Sequence, residues 1–514
     1  GKSHIDRDLR RVLLLGGALR LLAAFFSQGF LASDDHHVVI TAADRIASGD
    51  GLPPTYARSA LFPAAIAGVM TIIRSLGVRD PSIEMMFVRL AQAAYSLLVV
   101  YFVYRILQTS RPSPQTSPPG PPSLRSGRAL SLSGEGERTR LNAAITGGFL
   151  AAMFFAMPVT SVHQLEESVC QVPLLAAYWW WQQGETGGDL RHRASVVGGL
   201  ASGAALGVAL ILRFPLIGLV AAFVVIAMLQ PRRIETKLAF LAGLIVVVVL
   251  QGYSNALINH EWWYSFKARL GPMLHPQRMA LESEGYPSSP PWHYVLTLLA
   301  ALIPPASVLL LAAAAKGGIS RQYLLPGAGV LAFLLSHSLI ANKQERFLLP
   351  ILPVLFILIV AGLPWLASWL RRLYRAMWWY FWAVNGALLF VLTFSFSKKD
   401  RVAPLVYVYR RHDATGVLVA QYNQTFTVPE YYLGRPRPAL VVSTQRGMVD
   451  TASKINYVVL YSDTPDSDRA LLAEALGRPL TLLTVITPSL SDRIAHAINP
   501  RHNKARTAAI YTTT

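Results

Sequence analysis

The sequence predicts an all-α polytopic membrane domain followed by a small α/β domain, on three observations. The 514 residues are 53% hydrophobic and 15% charged, where soluble proteins carry about a quarter charged residues. Apolar runs long enough to cross hydrocarbon recur from Arg11 to Ser397. Beyond Ser397 the long runs give way to short strand-like ones.

The long runs read as eleven spans: 11–30, 85–107, 141–158, 165–183, 195–213, 214–229, 237–256, 292–314, 322–340, 347–370 and 376–397. Basic connections orient them. Lys2, Arg7, Arg10 and Arg11 precede the first span. Five arginines lie in the Pro-, Ser- and Gly-rich segment 108–140, which reads as a disordered linker. Arg191 and Arg193, PRRIETK at 231–237, Lys316 with Arg321, and RRLYR at 371–375 follow. Every second connection is basic, which assigns that set to the cytoplasm. The net charge of +19 therefore reflects topology, and no nucleic-acid partner is expected.

Residues 59–76 are apolar enough for a further span. A crossing there would turn the arginine-rich linker outward, so the segment is read as an interfacial helix, preceded by an amphipathic helix over 36–48. The extracytoplasmic connections are then 31–84, 158–164, 257–291, 341–346 and everything after 397. The chain divides into a membrane domain, 1–397, and an extracytoplasmic α/β domain, 398–514. In the latter, GVLVA (416–420), ALVVS (439–443), NYVVLYS (456–462) and LTLLTVI (480–486) read as strands, and DRALLAEAL (468–476) as a helix. No Gly-rich phosphate loop follows a strand, so no nucleotide fingerprint is visible. The single cysteine, Cys170, excludes an intramolecular disulfide and a cysteine-cluster metal site.

Polar residues at the extracytoplasmic ends of spans are the candidates for chemistry. Asp34 and Asp35 directly follow the first span and precede His36 and His37. They suit a general base, helix N-terminal acids or, with the histidines, a metal site. Arg58 is an interfacial anchor or a substrate-binding residue. Glu166 and Glu167 are N-terminal helix charges or a functional acidic pair near hydrocarbon. Arg213, in LILRFPL, snorkels or holds an anion such as a lipid phosphate. In the 257–291 loop an aromatic interface belt explains Trp262 and Trp263, and explains His275, Glu282 and Glu284 less well. The densest signal is ANKQERFLLPILPVL at 341–355. Lys343 and Arg346 stand one helical turn apart, before Pro350 and Pro353. Such a cationic pair suits a phosphate or pyrophosphate headgroup; an ordinary charged turn is the plain alternative.

ANKQERFLLPILPVL resembles the HKEERFxxPxxPLL signature of the membrane mannosyltransferases that build dolichol-linked oligosaccharides and glycosylphosphatidylinositol anchors. SDDHHVVITAADRIASGDGL followed by RSALFP is similar to that family's PDExFQ…AxxxxxGxGL…RSxLxP opening. ILRFP stands where the family has a span ending in Arg-Pro-Thr, and PPWHYVLTLL resembles its HPWHWYFT segment, which places Trp292 and His293. The matches occur in the same order over most of residues 20–360. Departures are Asn342 for the signature's His, Gln344 for its first Glu, and Arg213-Phe214-Pro215 for Arg-Pro-Thr.

The resemblance implies a C-type glycosyltransferase fold, with about eleven spans and interfacial helices in the first outer loop. It implies a sugar donor built on a polyprenyl phosphate and a lipid-linked or glycan acceptor. The family's base falls on Asp34 and its acidic neighbour on Asp35. Lys343, Glu345, Arg346 and Phe347 fall on the signature's Lys, second Glu, Arg and Phe, and Arg213 falls near its Arg-Pro-Thr. The expected activity is inverting transfer of mannose or a similar sugar at the extracytoplasmic face, without metal or other cofactor. Lys343, Arg346 and Arg213 would hold the donor phosphate. Arg58, Glu166, Glu167, His275, Trp292, His293 and Glu345 would contact substrate. A transporter or flippase, which would need repeats and charges deep in both leaflets, and an inactive assembly partner are the alternatives. A bacterial plasma membrane is the expected location.

Overall fold

A computed structural model describes residues 2–109, 125–183, 189–274, 289–340, 343–370, 372–446, 454–498, 500 and 503–513. Helices dominate up to residue 409. In chain order they are α1 (Lys2–Phe26), α2 (Ser33–Ala47), α3 (Leu61–Ser75), α4 (Pro81–Thr109), α5 (Arg125–Met153), α6 (Ala156–Thr160), α7 (Glu166–Val169), α8 (Gln171–Gln183), α9 (Asp189–Leu212), α10 (Ile217–Leu229), α11 (Ile234–Asn259) and α12 (Tyr264–Leu274). There follow α13 (His293–Ala301), α14 (Ala306–Gly318), α15 (Leu324–Ser338), α16 (Leu352–Trp369), α17 (Leu373–Thr393) and α18 (Lys399–Tyr409). Part of the expected 108–140 linker lies outside the described residues; from Arg125 onward the chain is already in α5.

Among the described residues, five helices are long and apolar enough to cross a membrane: α4, residues 193–212 of α9, α11, the unit Glu345–Trp369, and α17. α13 and α14, bent by 113°, make a sixth if they form one span. Other expected spans fall on shorter apolar helices such as α10 and α15, so this count stays below the eleven of the hydropathy reading. α3 has 15 residues, a length of about 22 Å against about 30 Å of hydrocarbon.

Three devices hold the bundle together. α16 is its central post, with residues 352–360 all buried. Arg20 on α1 is fully buried. It donates to Ser96 Oγ on α4 at 2.9 Å and to the carbonyls of Ala151 and Ala152 at 3.1 and 3.3 Å. Those carbonyls belong to the last turn of α5 and have no intrahelical partner. α9 and α11 meet backbone to backbone. A Cβ at Gly203 would collide with the carbonyl of Phe240, and one at Gly243 with the carbonyl of Leu200. Small residues let membrane helices approach this closely.

After α18 the chain forms a five-stranded mixed sheet. Its strands are β3 (Gly416–Gln421), β4 (Ala439–Ser443), β5 (Tyr457–Tyr461), β6 (Leu480–Ile486) and β7 (Ala508–Thr513), after the two-residue β1 (Gln28–Gly29) and β2 (Phe396–Ser397). The order is β4-β3-β5-β7-β6. β3 is parallel to β4 and β5, and β7 is antiparallel to β5 and β6. Helices α19 (Pro465–Leu476) and α20 (Leu490–Ile498) complete this part. Strands alternate their faces. Val417 and Val419 therefore join the main core, while Leu418 and Ala420 pack with Leu472 of α19. The expected strands and helix are present; β7 and α18 were not foreseen.

The sheet is fastened to the first loop by charge. Asp44, near the end of α2, is buried and receives Arg74 at 2.7 Å, Arg435 at 3.0 Å and Arg437. Arg74 also grips Glu84 at 2.6 Å, and Tyr431 donates to Glu84 at 2.7 Å. A parallel pairing of β1 with β2 sets Gln28 beside Phe396. Burial alone would raise the Asp44 pKa, but hydrogen bonds from Arg435 and Arg74 and the charge of Arg437 outweigh it and hold the value below the ordinary carboxylate range.

Gly203→Val should lower stability by more than about 1–3 kcal/mol, the usual cost of overpacking, because backbone atoms cannot yield. Thermal unfolding in detergent checks this, with Gly386→Ala, where the added Cβ meets nothing within 4 Å, as the unaffected control. The Asp44 clamp has a depressed folded-state pKa. Its contribution is complete above about pH 4, the unfolded value, and is lost as pH falls through the depressed value. Limited proteolysis of the 430–446 segment should accelerate only in that acid window, and Asp44→Asn should show the faster cleavage already at pH 7.

Candidate active site

Glu166 and Glu167 open the short helix α7, after Leu165 in extended conformation. Both are buried, Glu167 completely. Isolated carboxylates at such a depth cost several kcal/mol unless paired, and three arginines from distant parts of the chain supply the pairing. Arg58, in the loop before α3, places Nη1 at 3.2 Å from Glu166. Arg213 stands where α9 stops. Its backbone leaves the helical region, and a 3-10 turn at Phe214–Leu216 built around Pro215 follows. It reaches Glu167 at 2.9 Å and Glu166 at 3.7 Å. Arg346 lies in the 3-10 stretch Glu345–Ile351, which precedes α16 and contains Pro350. Its Nε is 3.7 Å from Glu167 and donates to Gln344 at 2.7 Å.

Phe347 underlies both cations, with Arg213 and Arg346 at 4.9 and 5.5 Å from its ring centre. Arg269 of α12 lines the same crevice beside Arg58, Ser59, Glu166 and Arg213. Four arginines and two glutamates thus meet in a largely buried place. The crevice measures about 20 Å3, room for about one water. The arginines are therefore closed down on the protein's own carboxylates.

A hydrogen-bonded string joins the segment just before α7 to the start of α2. Gln164, two residues before Glu166, faces His36 Nδ1 at 3.4 Å and donates to Gln92 at 3.1 Å. Gln92 in turn donates to the carbonyl of His163 at 3.1 Å. The His36 ring is stacked between Phe30 and Tyr432, at 4.6 and 5.7 Å. Burial, with the neighbouring His37, pushes its pKa down to about 3, so it is neutral at ordinary pH.

Asp34 and Asp35 are the second and third residues of α2, which begins at Ser33 rather than at 36; their side chains lie outside the described ones. Arg58, Glu166, Glu167, Arg213 and Arg346 come together. Lys343 does not join them. It is buried, and its ammonium donates to the carbonyls of Ser289 and Ile340 at 2.8 and 2.5 Å. It closes the loop, since a buried cation takes the nearest unpaired carbonyls. Glu345 is exposed. Trp292 is 62% exposed and precedes α13. His293 begins α13, with Nε2 buried and unpartnered among the described residues. Tyr294 beside it connects through His337 to Phe347, with ring centres 6.2 and 6.5 Å apart. His275, Glu282 and Glu284 lie outside the described residues. Sequence reasoning missed Arg269, absorbed into an aromatic belt, and Gln164, whose only signal is its place beside the acidic pair. No group of three or more potential metal-ligating His, Cys, Asp or Glu occurs among the described residues.

Glu167→Ala removes the fully buried carboxylate that Arg213 and Arg346 share and should cost about 3–5 kcal/mol. The measurement is thermal unfolding in detergent. Glu345→Ala, at an exposed neighbour, should stay within about 0.5 kcal/mol of the parent.

The family model of the Alg9-like mannosyltransferases matches residues 12–427. No curated protein matches the chain by sequence. Among solved structures, ArnT from Cupriavidus metallidurans bound to undecaprenyl phosphate aligns with a TM-score of 0.59 and 13% identity, over 97% of each chain. The apo state of the same enzyme aligns at 0.57 and 14% identity, over 98% of this chain and 97% of that one. The arabinofuranosyltransferase AftD from Mycobacteria aligns at 0.47 and 15% identity, over 98% of this chain and 40% of its own length. The likeness to ArnT extends through the C-terminal sheet and bears out the expected C-type glycosyltransferase fold. The chain belongs to the Alg9-like mannosyltransferase family and is a multi-pass membrane glycosyltransferase.

Proposed function

We propose that the protein is an inverting glycosyltransferase that moves mannose or a similar sugar from a polyprenyl phosphate to a lipid-linked or glycan acceptor, at the extracytoplasmic face of a bacterial plasma membrane. The observation that carries this reading is the buried meeting of Arg58, Arg213 and Arg346 at Glu166 and Glu167, with Gln164, two residues before Glu166, facing His36 on the helix that bears Asp34. Undecaprenyl phosphate in the ArnT structure supports a lipid phosphate as donor. The basic connections, every second one along the chain and so all on one side of the spans, support the orientation.

In this reading the Asp34 carboxylate takes the proton of the acceptor hydroxyl. The oxygen attacks the anomeric carbon opposite the phosphate, the carbon–oxygen bond to the phosphate breaks, and the phosphate leaves with the electron pair. Arg213 and Arg346 hold the charge that develops there, the role fixed dipoles and cations serve best in a site closed to water. Because the crevice is nearly filled, the phosphate enters by replacing a glutamate as the arginines' partner. Arg58, Glu166 and Glu167 then face the incoming sugar, and Asp35, Trp292, His293, Glu345 and His275 contribute to the surrounding walls. Lys343 acts by holding the loop that carries Arg346.

Asp34→Asn should cut transfer from a radiolabelled polyprenyl-phosphate sugar at least about a hundredfold, the lower range for a lost general base, with unchanged detergent stability. Wild-type transfer in the variant would sink the assignment of the base. Since arginines supply the countercharge, transfer in EDTA should equal transfer in added magnesium; an activity abolished by chelation would contradict this chemistry.

A further inference from the structure

A cavity of about 240 Å3 lies away from the candidate active site. It lies where the C-terminal sheet meets the first loop, walled by Asp44, Arg74, Arg79, Glu84, Arg435 and Arg437. Four arginines and two carboxylates share this wall. The two acids are fully engaged: Asp44 by Arg74, Arg435 and Arg437, Glu84 by Arg74 and Tyr431. From outside the wall, Asp50 touches Arg435 and Glu430 touches Arg437, each at 3.5 Å. Both are about half exposed, and such rim pairs are worth little. Arg79 is exposed and makes no side-chain hydrogen bond or ion pair among the described residues.

The cavity therefore presents guanidinium groups from three segments, the end of α3, the loop before α4, and the stretch 434–437. Their forked donors match phosphate oxygens. Its volume is below the roughly 300–1,000 Å3 of sites that enclose a whole organic ligand, which suits a headgroup rather than a glycan. Asp34 and Asp44 are ten residues apart on α2, about 15 Å along the helix, so this cavity is distinct from the place assigned to sugar transfer.

We propose that this seam is a second anion site, binding a phosphate or diphosphate group, with Arg79, Arg435 and Arg437 as its ligands and Arg74 as a fixed support. Ligand entry displaces Asp50 and Glu430 from the rim, exchanging weak exposed pairs for charge-assisted bonds. The proposal does not rest on the transferase mechanism above.

The test uses the full chain and Arg79→Gln, which disturbs no internal ion pair and should leave unfolding temperature unchanged without ligand. Inorganic pyrophosphate is titrated calorimetrically in neutral detergent. In parallel, retention of phosphatidate by the protein in nanodiscs is measured by native mass spectrometry. Arg346→Gln controls for anion binding at the candidate active site. Pyrophosphate binding weakened about tenfold by Arg79→Gln, as loss of one charge-assisted contact predicts, and kept in Arg346→Gln supports the site and assigns a soluble phosphate. Arg79-dependent retention of phosphatidate without pyrophosphate binding supports it and assigns a lipid headgroup. Binding indifferent to Arg79 in both arms, or none in either, overturns the proposal.

Discussion

Two adjacent buried carboxylates set the terms for this structure. Glu166 and Glu167 sit at the first residues of a four-residue helix, too short for its dipole to hold them. Their charge has to be met by cations, and the cations come from positions 58, 213 and 346. That requirement pulls the first loop, the end of α9 and the entry to α16 to one point. The proline-containing 3-10 turns at Phe214–Leu216 and Glu345–Ile351 follow from it, because a regular helix would carry each arginine away from the acids. The same closeness means that an anionic substrate competes with the protein's own carboxylates, so affinity depends on a difference between two good partners.

Much of this was legible in the sequence because charge at the end of an apolar span is conspicuous. Arg58, Glu166, Glu167, Arg213 and Arg346 each break a hydrophobic pattern, and each proves to be in the cluster. Lys343 breaks it equally but serves the loop, since a sequence shows that a cation is buried without showing whether a carbonyl or a carboxylate will meet it. Arg269 was hidden for the opposite reason, as one polar residue in a segment already polar and aromatic. The partners of Asp44 were beyond reach: Arg435 and Arg437 stand almost 400 residues away, and no local pattern encodes so distant a pairing. The strand β7 escaped because its AAIYTT lacks the apolar alternation that marked the others.

Helix α2 links the two parts of the molecule. Its first turn carries the acidic pair proposed for catalysis, and its last turn carries the carboxylate that the C-terminal sheet grips. Tyr432 stacks on His36 from the same connection between β3 and β4, so this connection touches the helix at both ends. The sheet is thereby part of the frame that positions α2. A displacement of the 430–437 stretch would tilt that helix and carry Asp34 with it.

The small parallel ladder between β1 and β2 has a consequence for how the chain is made. Gln28 pairs with Phe396, and the backbone of Gly29 lies so close to Ser397 that a side chain there would strike its carbonyl. The loop after the first span thus receives its anchor from the segment after the last. During synthesis the first loop waits for more than 350 further residues before this backbone ladder exists. A ribosome stalled before α17 leaves a nascent chain whose opening loop has its ion pairs to Glu166 and Glu84 but lacks its ladder and its C-terminal clamp, so the last fastenings of the first loop are made by the last part of the chain.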